Sequence, residues 1–330
     1  MMEDLDAIPY QSPEWCEAIC ADGRFRDISR HYEFEDGCRI VVPLVTVITL
    51  GPARFTAASY PDGCGMGGAI CCGNTTARHL RHVLKDLMAS NVFSIKIRPN
   101  PMQGRRWAEA ASGLALTTRA RRAHVIDLKE GFDHVYNKLF TRDTRSGIRK
   151  AERKGVVVRN SSNGDLIPVL HGLLARSVER WAAQQREPLW LARFRFRRRD
   201  PIEKLYRIQE AFGSDCKVWA AWVDGTPVAA SLVLTGRHVN DSRGALDRAA
   251  LGTSCANDLL QKLTIEEACQ SGCRFYHLGE SGNSASLAHF KERFGATAYH
   301  YDEILIEQFP LFRIEQSLKG GVKKVIGFKD

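Results

Sequence analysis

A lysine set between two phenylalanines is the first residue whose position suggests chemistry. Lys291 directly follows Phe290, and Phe294 and Gly295 come shortly after it. An ammonium group beside a carbonyl stabilises the oxyanion that forms when an amine attacks an ester or thioester. Phe290 and Lys291 are therefore candidate catalytic residues. The i, i+4 spacing of Phe290 and Phe294 also fits the core stripe of an amphipathic helix, with Lys291 as an ordinary surface residue.

Two titratable side chains flank a glycine at the end of a strand-like segment. His277 and Glu280 lie on either side of Gly279. In α/β proteins the loop after a strand commonly lines a ligand crevice, so either side chain is a candidate general base. His277 is equally compatible with a buried core histidine, and an attacking amine can also lose its proton without a protein base.

A glycine followed by two hydroxyl residues precedes a long amphipathic segment. Gly252, Thr253 and Ser254 stand where a helix N-terminus would offer N–H groups and a positive dipole end to a phosphate. These three residues are therefore candidate donor-binding or phosphate-binding residues. A simple N-cap is the alternative.

Two basic clusters could bind phosphates or nucleic acid. Arg145 and Arg149 lie at i, i+4 of a basic segment that Asp143 and Glu152 interrupt, so they are either phosphate ligands or part of a solvated helix face. The second cluster interleaves arginines with phenylalanines, a pattern suited to following a backbone and stacking on bases. Its candidate nucleic-acid-binding residues are Arg193, Arg195, Arg197 and Arg198. The same residues could form an exposed loop.

Composition limits the class of protein. The chain has 330 residues, is 44% hydrophobic and carries a formal charge of +9, so it is long enough for two domains and favours anionic partners. An arginine-rich solvated surface would give the same charge. Ten cysteines occur without a CxxC pair, which argues against a zinc or iron–sulfur site. We therefore expect no metal and no tightly bound cofactor.

Neither a secretory signal nor a membrane span is predicted. The N-terminus is acidic and lacks the basic-then-apolar order of a signal peptide. The longest apolar run, 40–51, contains Pro43 and is too short to cross a bilayer. These patterns predict a cytoplasmic protein.

Hydrophobic periodicity predicts alternating strands and helices in both halves. The first half should hold strands at 39–50 and 54–60, a helix capped by Thr75 or Thr76, and a strand at 92–98. The second half should include an antiparallel meander with a tight turn at Asp224-Gly225. Its other elements are helices at 132–154, 166–185 and about 201–212, strands at 156–159, 216–223, 227–234, 238–246 and 274–278, and a long helix from Thr253 or Ser254 to Ser271.

Two segments of the second half carry a family resemblance. Residues 140–159 read FTRDTRSGIRKAERKGVVVR, and LLQKLTIEEACQSGCRFYHLGES at 259–281 leads to SLAHFKERFGATAY at 286–299. These segments resemble the Fem-type aminoacyltransferases and related FemAB-like GNAT acyltransferases. The spacing of that family is matched by Gly272, Gly279, Phe290, Lys291, Phe294 and Gly295. One departure is the strand end, where His277-Leu278-Gly279 replaces an acidic-aromatic-glycine triplet.

The resemblance implies an α/β fold of the α+β type, with mixed sheets in tandem GNAT-like domains. The expected domains are a degenerate one at 1–128 and an acyltransferase domain at 129–330. It further implies that Phe290 and Lys291 lie at the reaction centre. The expected function is amide formation, by transfer of an aminoacyl or acyl group to an amine on a small or nucleotide-linked acceptor such as a peptidoglycan precursor or natural product.

The donor and the class of activity stay open at the level of sequence. The basic clusters and the weak match of RAALGTSC, residues 248–255, to a pyrophosphate-binding loop favour aminoacyl-tRNA over acyl-CoA. An acyl-CoA-dependent N-acyltransferase is the enzymatic alternative. A non-catalytic GNAT-like protein that binds RNA or another anion is the alternative outside enzymes. No expectation follows for the oligomeric state.

Overall fold

The computed structural model describes Asp4, residues 6–48 and residues 56–308. These residues form two compact units. Unit 1 contains the described residues up to Ala123, together with Glu280–Gly282 and residues 298–308. Unit 2 contains His124–Gly279 and Asn283–Thr297. The first transition between the units falls at 123/124, inside a strand, and the predicted assignment of GNAT-like domains to 1–128 and 129–330 stays a prediction.

The first part of the chain alternates short strands with three amphipathic helices. In chain order its elements are α1 Pro13–Cys20, β1 Phe25–Asp27, β2 Arg30–Glu33, β3 Arg39–Val42, β4 Val45–Val47, β5 Thr56–Ala58, β6 Ile70–Cys72, α2 Ala77–Met88, β7 Ser94–Ile97, α3 Gly104–Ala111 and β8 Thr117–Asp127.

The second part is richer in helix and has longer strands. Its elements are α4 Gly131–His134, a π-helical turn Val135–Leu139, α5 Arg142–Arg153, β9 Val157–Ser161, α6 Ile167–Gln185, α7 Leu189–Arg199, α8 Ile202–Phe212, β10 Cys216–Val223, β11 Thr226–Thr235, β12 Val239–Leu246, α9 Arg248–Leu251, α10 Ala256–Gln270, β13 Phe275–Glu280, α11 Ala285–Glu292 and β14 Thr297–Glu307.

Unit 1 contains a small antiparallel sheet and a mixed sheet. The small sheet has the order β2-β3-β6. In the mixed sheet, β1, β4, β5, β7 and β14 lie side by side, with β5 parallel to β7 and the other pairs antiparallel. Helix α2 is capped at Thr76, as predicted, and buries Leu80 and Leu84 in this unit's core beside Trp107 of α3.

The predicted strand 39–50 is wrong as a single element. The chain forms two strands that belong to different sheets, and Pro43 and Leu44 lie between them. Proline has no N–H to donate to a strand ladder, so it breaks the pairing at this point. Residues 49 and 50 of the predicted strand, and 54 and 55 of the next one, lie outside the described residues.

Unit 2 is built on the predicted meander. Strands β9, β10, β11 and β12 are antiparallel neighbours in that order, and β13 pairs in parallel with β12. Asp224 and Gly225 both have positive φ, 49° and 75°, which is the geometry of a tight hairpin turn. Helices α5 and α10 pack on the core of this unit through Ile148, Leu260 and Ile265. The predicted α/β fold with mixed sheets is confirmed.

The predicted helix 132–154 is also wrong as a single element. Phe140 has an extended conformation, with φ −65° and ψ 133°, and ends the π-helical turn. A new helix then begins, because the side chain of Thr141 accepts a hydrogen bond from the N–H of Thr144. The apolar pattern continues across this break and hides it from a periodicity argument.

Helix α7 was not predicted. Its sequence alternates arginine and aromatic residues with a period of two, which does not resemble an amphipathic helix. Only Ala192 and Phe196 of this helix are buried, so the apolar signal of the helix is weak. The alternative of an exposed loop over Arg193–Arg198 is therefore wrong. In the described part of the chain, no helix combines the length and apolarity needed to cross a bilayer.

Candidate active site in unit 2

The parallel strands β12 and β13 separate soon after they meet. They pair at only two positions, the second of which joins Asn240 to His277. Both strands then continue without further pairing to each other in the described residues. We call the region between Asp241 on β12 and Gly279 on β13 the strand fork. An opening of this kind places side chains and unpaired backbone groups where a ligand can enter.

Lys291 places its ammonium at this fork. The side chain comes from α11 and its Nζ donates to the carbonyl of Gly279 at 2.9 Å. The residue is only 6% exposed. The alternative of a solvent-exposed surface lysine is therefore wrong, because this ammonium is buried on the strand end that precedes α11. A buried, oriented ammonium is suited to stabilise negative charge on a carbonyl oxygen.

Aromatic packing fixes the helix that carries Lys291. Ser284 caps α11 by accepting from the N–H of Leu287. Phe290 is half-buried and meets Phe294 edge-on, with ring centroids 5.3 Å apart. Phe294 is fully buried and meets Phe140 in the same way at 5.1 Å. Phe290 thus supports α11 from within the core of unit 2.

Arg293, which no sequence pattern singled out, connects α11 to two other helices. Its guanidinium pairs with Asp258 of α10 and lies 5.1 Å from the Phe290 ring and 5.4 Å from the Phe294 ring. Its carbonyl accepts from the N–H of Thr141 at 2.9 Å, at the start of α5. These contacts tie the C-terminal end of α11, the helix that carries Lys291, to α10 and to the start of α5. Its place inside the Phe-Lys-x-x-Phe-Gly segment was the available signal.

Asp241 is the second charged group of the fork, and it was not predicted from the sequence. Ser231 of β11 donates a hydrogen bond to its Oδ1. Burial raises the pKa of Asp241, while the Ser231 hydroxyl and the Lys291 ammonium act in the opposite direction. The strand bulges next to it, since β12 gains Ser242 relative to β11. An acidic residue between the buried residues Asn240 and Ser242 was the signal that could have identified it.

His277 lies at the base of the fork as a neutral ring. It is 1% exposed, and within the described residues neither ring nitrogen has a hydrogen-bond partner. Burial, together with nearby His238, lowers the pKa of His277 to about 3. A base with this pKa takes up little proton from an ammonium group at neutral pH. The neutral ring can still donate one hydrogen bond to a ligand and accept another.

The low pKa of His277 predicts a specific loss of stability in acid. The unfolded chain binds a proton at His277 below about pH 6.5, whereas the folded chain resists it until about pH 3, so stability falls as the pH drops through this window. At pH 5 this loss is about 2 kcal/mol. We expect His277→Gln to remove that part of the pH dependence, measured by urea unfolding at pH 7 and pH 5. The same change at exposed His289 is the control, and an unaltered pH dependence in His277→Gln would contradict the assignment.

Glu280 belongs to unit 1 and is held by two partners there. The hydroxyl of Tyr301 donates to its Oε1 at 2.5 Å. The guanidinium of Arg121 lies 3.7 Å from its Oε2. Arg121 also pairs at 2.7 Å with Glu303, which is fully buried. Glu280 is therefore a positioned carboxylate within a network of charges.

The segment 252–255 is a loop and does not form the first turn of the long helix. Helix α10 starts at Ala256, and its N-cap is Cys255 in a left-handed conformation, so the prediction of Thr253 or Ser254 as N-cap is wrong. Ser254 is turned inward, where its hydroxyl donates to the carbonyl of Leu251 and accepts from Ala256. Thr253 accepts from the Nζ of Lys154 at 3.1 Å. Thr253 and Lys154 together offer a hydroxyl and a cation to a phosphate.

The arginines of α5 have different environments. The Nη1 of Arg145 donates to the carbonyls of Tyr136, Asn137 and Phe140 at the C-terminal end of the π-helical turn. This nitrogen therefore closes a helix end. Arg149 is exposed on the same helix.

Helix α7 presents its aromatic and basic side chains to solvent. Arg193 pairs with Glu179 at 2.6 Å, and Arg195 pairs with Glu187. Arg197 and Arg198 are exposed. Trp190 and Phe194, which share the outward face at i and i+4, are 71% and 56% exposed. This face combines cations with open aromatic rings.

The described residues contain no group of three His, Cys, Asp or Glu side chains arranged to hold a metal ion. All ten cysteines are free thiols. Burial raises the pKa of Cys216 and Cys71 to about 12, so these two buried thiols stay protonated.

Comparison with known proteins agrees with this architecture. Residues 138–292 match a family described as an acetyltransferase (GNAT) domain. The crystal structure of FemX has a TM-score of 0.67 at 13% identity, covering 94% of this chain and 96% of FemX. The C-terminal domain of a putative lysylphosphatidylglycerol synthetase from Agrobacterium fabrum has a TM-score of 0.51 at 12% identity, covering 89% and 87%. Among curated protein sequences, no significant match is found.

The matched family segment contains both arms of the strand fork and ends directly after Lys291. The likeness to FemX extends over nearly the whole chain, so the resemblance to FemAB-like enzymes is confirmed as a likeness of fold. Residues 138–292 therefore match a GNAT acetyltransferase domain, and the chain has a FemX-like fold.

Proposed function

We propose that this chain forms amides by moving an aminoacyl group from aminoacyl-tRNA to an amine on a small or nucleotide-linked acceptor, such as a cell-wall precursor or a natural product. The observation that carries the proposal is the ammonium of Lys291, which is buried at the strand fork and bonded to Gly279. We place the reaction in the cytoplasm, where charged tRNA is made.

The proposed chemistry assigns the main catalytic role to Lys291. The uncharged amine attacks the ester carbonyl of the donor, and the ammonium stabilises the oxyanion of the tetrahedral intermediate. The carbon–oxygen bond to the tRNA then breaks, and the proton lost by the amine ends on the leaving oxygen or in solvent. Phe290 acts by holding α11 in place.

Glu280 and His277 stay candidates for handling the proton of the amine. The pKa of His277, about 3, suits a neutral hydrogen-bonding ring better than a base. Glu280 is the stronger candidate because it is a carboxylate oriented by Tyr301 and Arg121. A base is not obligatory, since the leaving oxygen can accept the proton.

The basic and aromatic face of α7 supports RNA as the carrier of the aminoacyl group. We propose that Arg197 and Arg198 contact phosphates while Phe194 and Trp190 offer surfaces for base stacking. Arg193 and Arg195 add to the positive potential, although their partner glutamates neutralise part of it. Gly252, Thr253 and Arg149, which are exposed, are proposed to contact phosphates nearer the donor ester, while Ser254 and Arg145 hold the backbone around them.

Charge reversal on α7 tests the tRNA proposal. We expect Arg197→Glu with Arg198→Glu to weaken binding of aminoacylated tRNA by about 10-fold or more and to lower the salt dependence by about two counterions. Fluorescence anisotropy of labelled tRNA over a range of salt concentrations measures both quantities. Removing two phosphate contacts accounts for both changes.

The matched control reverses the same number of charges in unit 1. Arg78 and Arg105 are exposed there, on α2 and α3. Equal weakening by the two double variants would mean that net charge alone attracts the RNA. Unchanged binding in the α7 variant would show that α7 does not contact tRNA.

An acyl-CoA donor is the second candidate, and two observations favour it. The matched family is described by acetyl transfer, and Lys154 and Thr253 meet at the loop before α10. Stoichiometric, micromolar binding of coenzyme A, with no product from charged tRNA, would establish acyl-CoA as the donor. If Lys291→Ala left acceptor modification in cells intact while removal of the α7 charges abolished function, the chain would be a binding protein.

A further inference from the structure

Asp241 has no role in the chemistry assigned to Lys291, yet it occupies the opposite arm of the same fork. Protein surrounds its carboxylate closely enough to raise its pKa. The residue nevertheless retains part of its accessible surface. Among the described residues Asp241 forms no ion pair within 4.0 Å, and its hydrogen-bond partners, Ser231 and Gln261, are both neutral. A carboxylate in this environment is stabilised by any cation that reaches it.

The neighbours of Asp241 leave it only partly compensated. The ammonium of Lys291 is near enough to favour the ionised carboxylate, but it donates to Gly279. Gln261 of α10 also faces Asp241, and its amide donates to the hydroxyl of Tyr276 at 3.1 Å. Burial outweighs these contributions, because the net effect on the pKa of Asp241 is upward. The hydrogen bonds and the nearby ammonium therefore do not fully offset the cost of burying the Asp241 carboxylate.

The chemistry of the donor supplies a suitable cation. An aminoacyl group carries its α-ammonium on the carbon next to the ester carbonyl. When Lys291 faces the carbonyl oxygen, the α-ammonium is two bonds from the carbonyl carbon and lies within the same fork. A neutral acyl group of equal size has a methyl group at that position and offers nothing to a buried carboxylate.

We propose that Asp241 binds the α-ammonium of the aminoacyl donor and so selects aminoacyl groups over neutral acyl groups. The inference rests on the proposed aminoacyl transfer at Lys291 and adds the residue that recognises the transferred group. Asp241 fixes the donor by a charge-assisted hydrogen bond, while Lys291 acts on the carbonyl.

The test compares two stable donor analogues that differ only in this charge. One is 3′-glycylamido-3′-deoxyadenosine, and the other is its 3′-propionylamido counterpart, which has the same number of heavy atoms and a methyl group in place of the ammonium. Calorimetric titration of the wild-type chain should show at least about 10-fold tighter binding of the glycyl compound. Asp241→Asn keeps the shape and the Ser231 contact, and should reduce this ratio to about one.

Controls separate recognition from folding and from the donor proposal. Asp215→Asn, at an exposed position of unit 2, should keep the wild-type ratio. The ratio of glycyl to propionyl analogue binding is measured first on the wild-type chain. This measurement tests the proposal even if the Asp241→Asn chain folds poorly. Equal binding of the two analogues to the wild-type chain, or an unchanged ratio in Asp241→Asn, would overturn the role of Asp241 and leave the tRNA proposal standing. Binding of acetyl-CoA with no binding of either analogue would overturn both.

Discussion

Replacing Lys291 with methionine is expected to slow the proposed aminoacyl transfer by about 10²- to 10³-fold, the usual loss when one oxyanion-stabilising group is removed. Methionine keeps the length and apolar stem of the side chain and removes the ammonium that donates to Gly279. Because Lys291 is only 6% exposed, the methionine side chain fills the same buried space. Radiolabelled aminoacyl-tRNA, incubated with the small-molecule fraction of cells that lack the gene, provides the transfer assay.

The control for this variant is a lysine outside the fork. Lys262 lies on α10 and pairs with Glu266 at 2.7 Å. Lys262→Met removes the same charge from the same unit and should transfer at the wild-type rate. A folded Lys291→Met chain with a rate within about twofold of the wild type would remove Lys291 from the mechanism.

Gly295→Ala is expected to destabilise the chain by about 3 kcal/mol, far more than an average exposed glycine. Gly295 ends α11 with φ +80°, a conformation that costs an alanine about 1 kcal/mol. A Cβ at this position would also overlap the side chain of Leu139 and lie 3.2 Å from the Leu139 carbonyl carbon. Chemical denaturation with circular dichroism measures the free energy of unfolding.

A second glycine isolates the contribution of the overlap. Gly272 ends α10 with φ +71°, and a Cβ there would meet nothing within 4 Å. Gly272→Ala should therefore cost about 1 kcal/mol, from backbone strain alone. If the two variants were equally stable, close packing of the Lys291 helix against Leu139 would not be important for the fold.

Sequence periodicity predicted elements whose apolar pattern is set by local packing. Helix α2 and the meander of β10, β11 and β12 were predicted because their buried residues repeat at regular intervals. The break at Phe140 was missed because it depends on a cap at Thr141 and on a carbonyl of Arg293, which is distant in sequence. Helix α7 was missed because most of its residues face solvent.

In the candidate site, too, one residue has a local sequence signal and another depends on tertiary structure. Lys291 could be identified from the motif that surrounds it, since Phe290, Phe294 and Gly295 stand at fixed spacings. Asp241 has no motif around it. Its proposed role depends on the place where β12 and β13 separate, and no local sequence pattern indicates where two strands stop pairing. The family spacing therefore locates one arm of the fork, and only the tertiary structure locates the other.

The contacts of Arg293 limit how the Lys291 segment could be transferred to another protein scaffold. Helix α11 has eight residues, too few to hold its orientation by its own hydrogen bonds. Its orientation is instead encoded by contacts that Arg293 makes with Asp258 and Thr141 on two other helices. A graft of the segment 290–295 alone would carry the ammonium but would not fix its orientation. The smallest unit that could be transplanted therefore contains α5, α10 and α11 together.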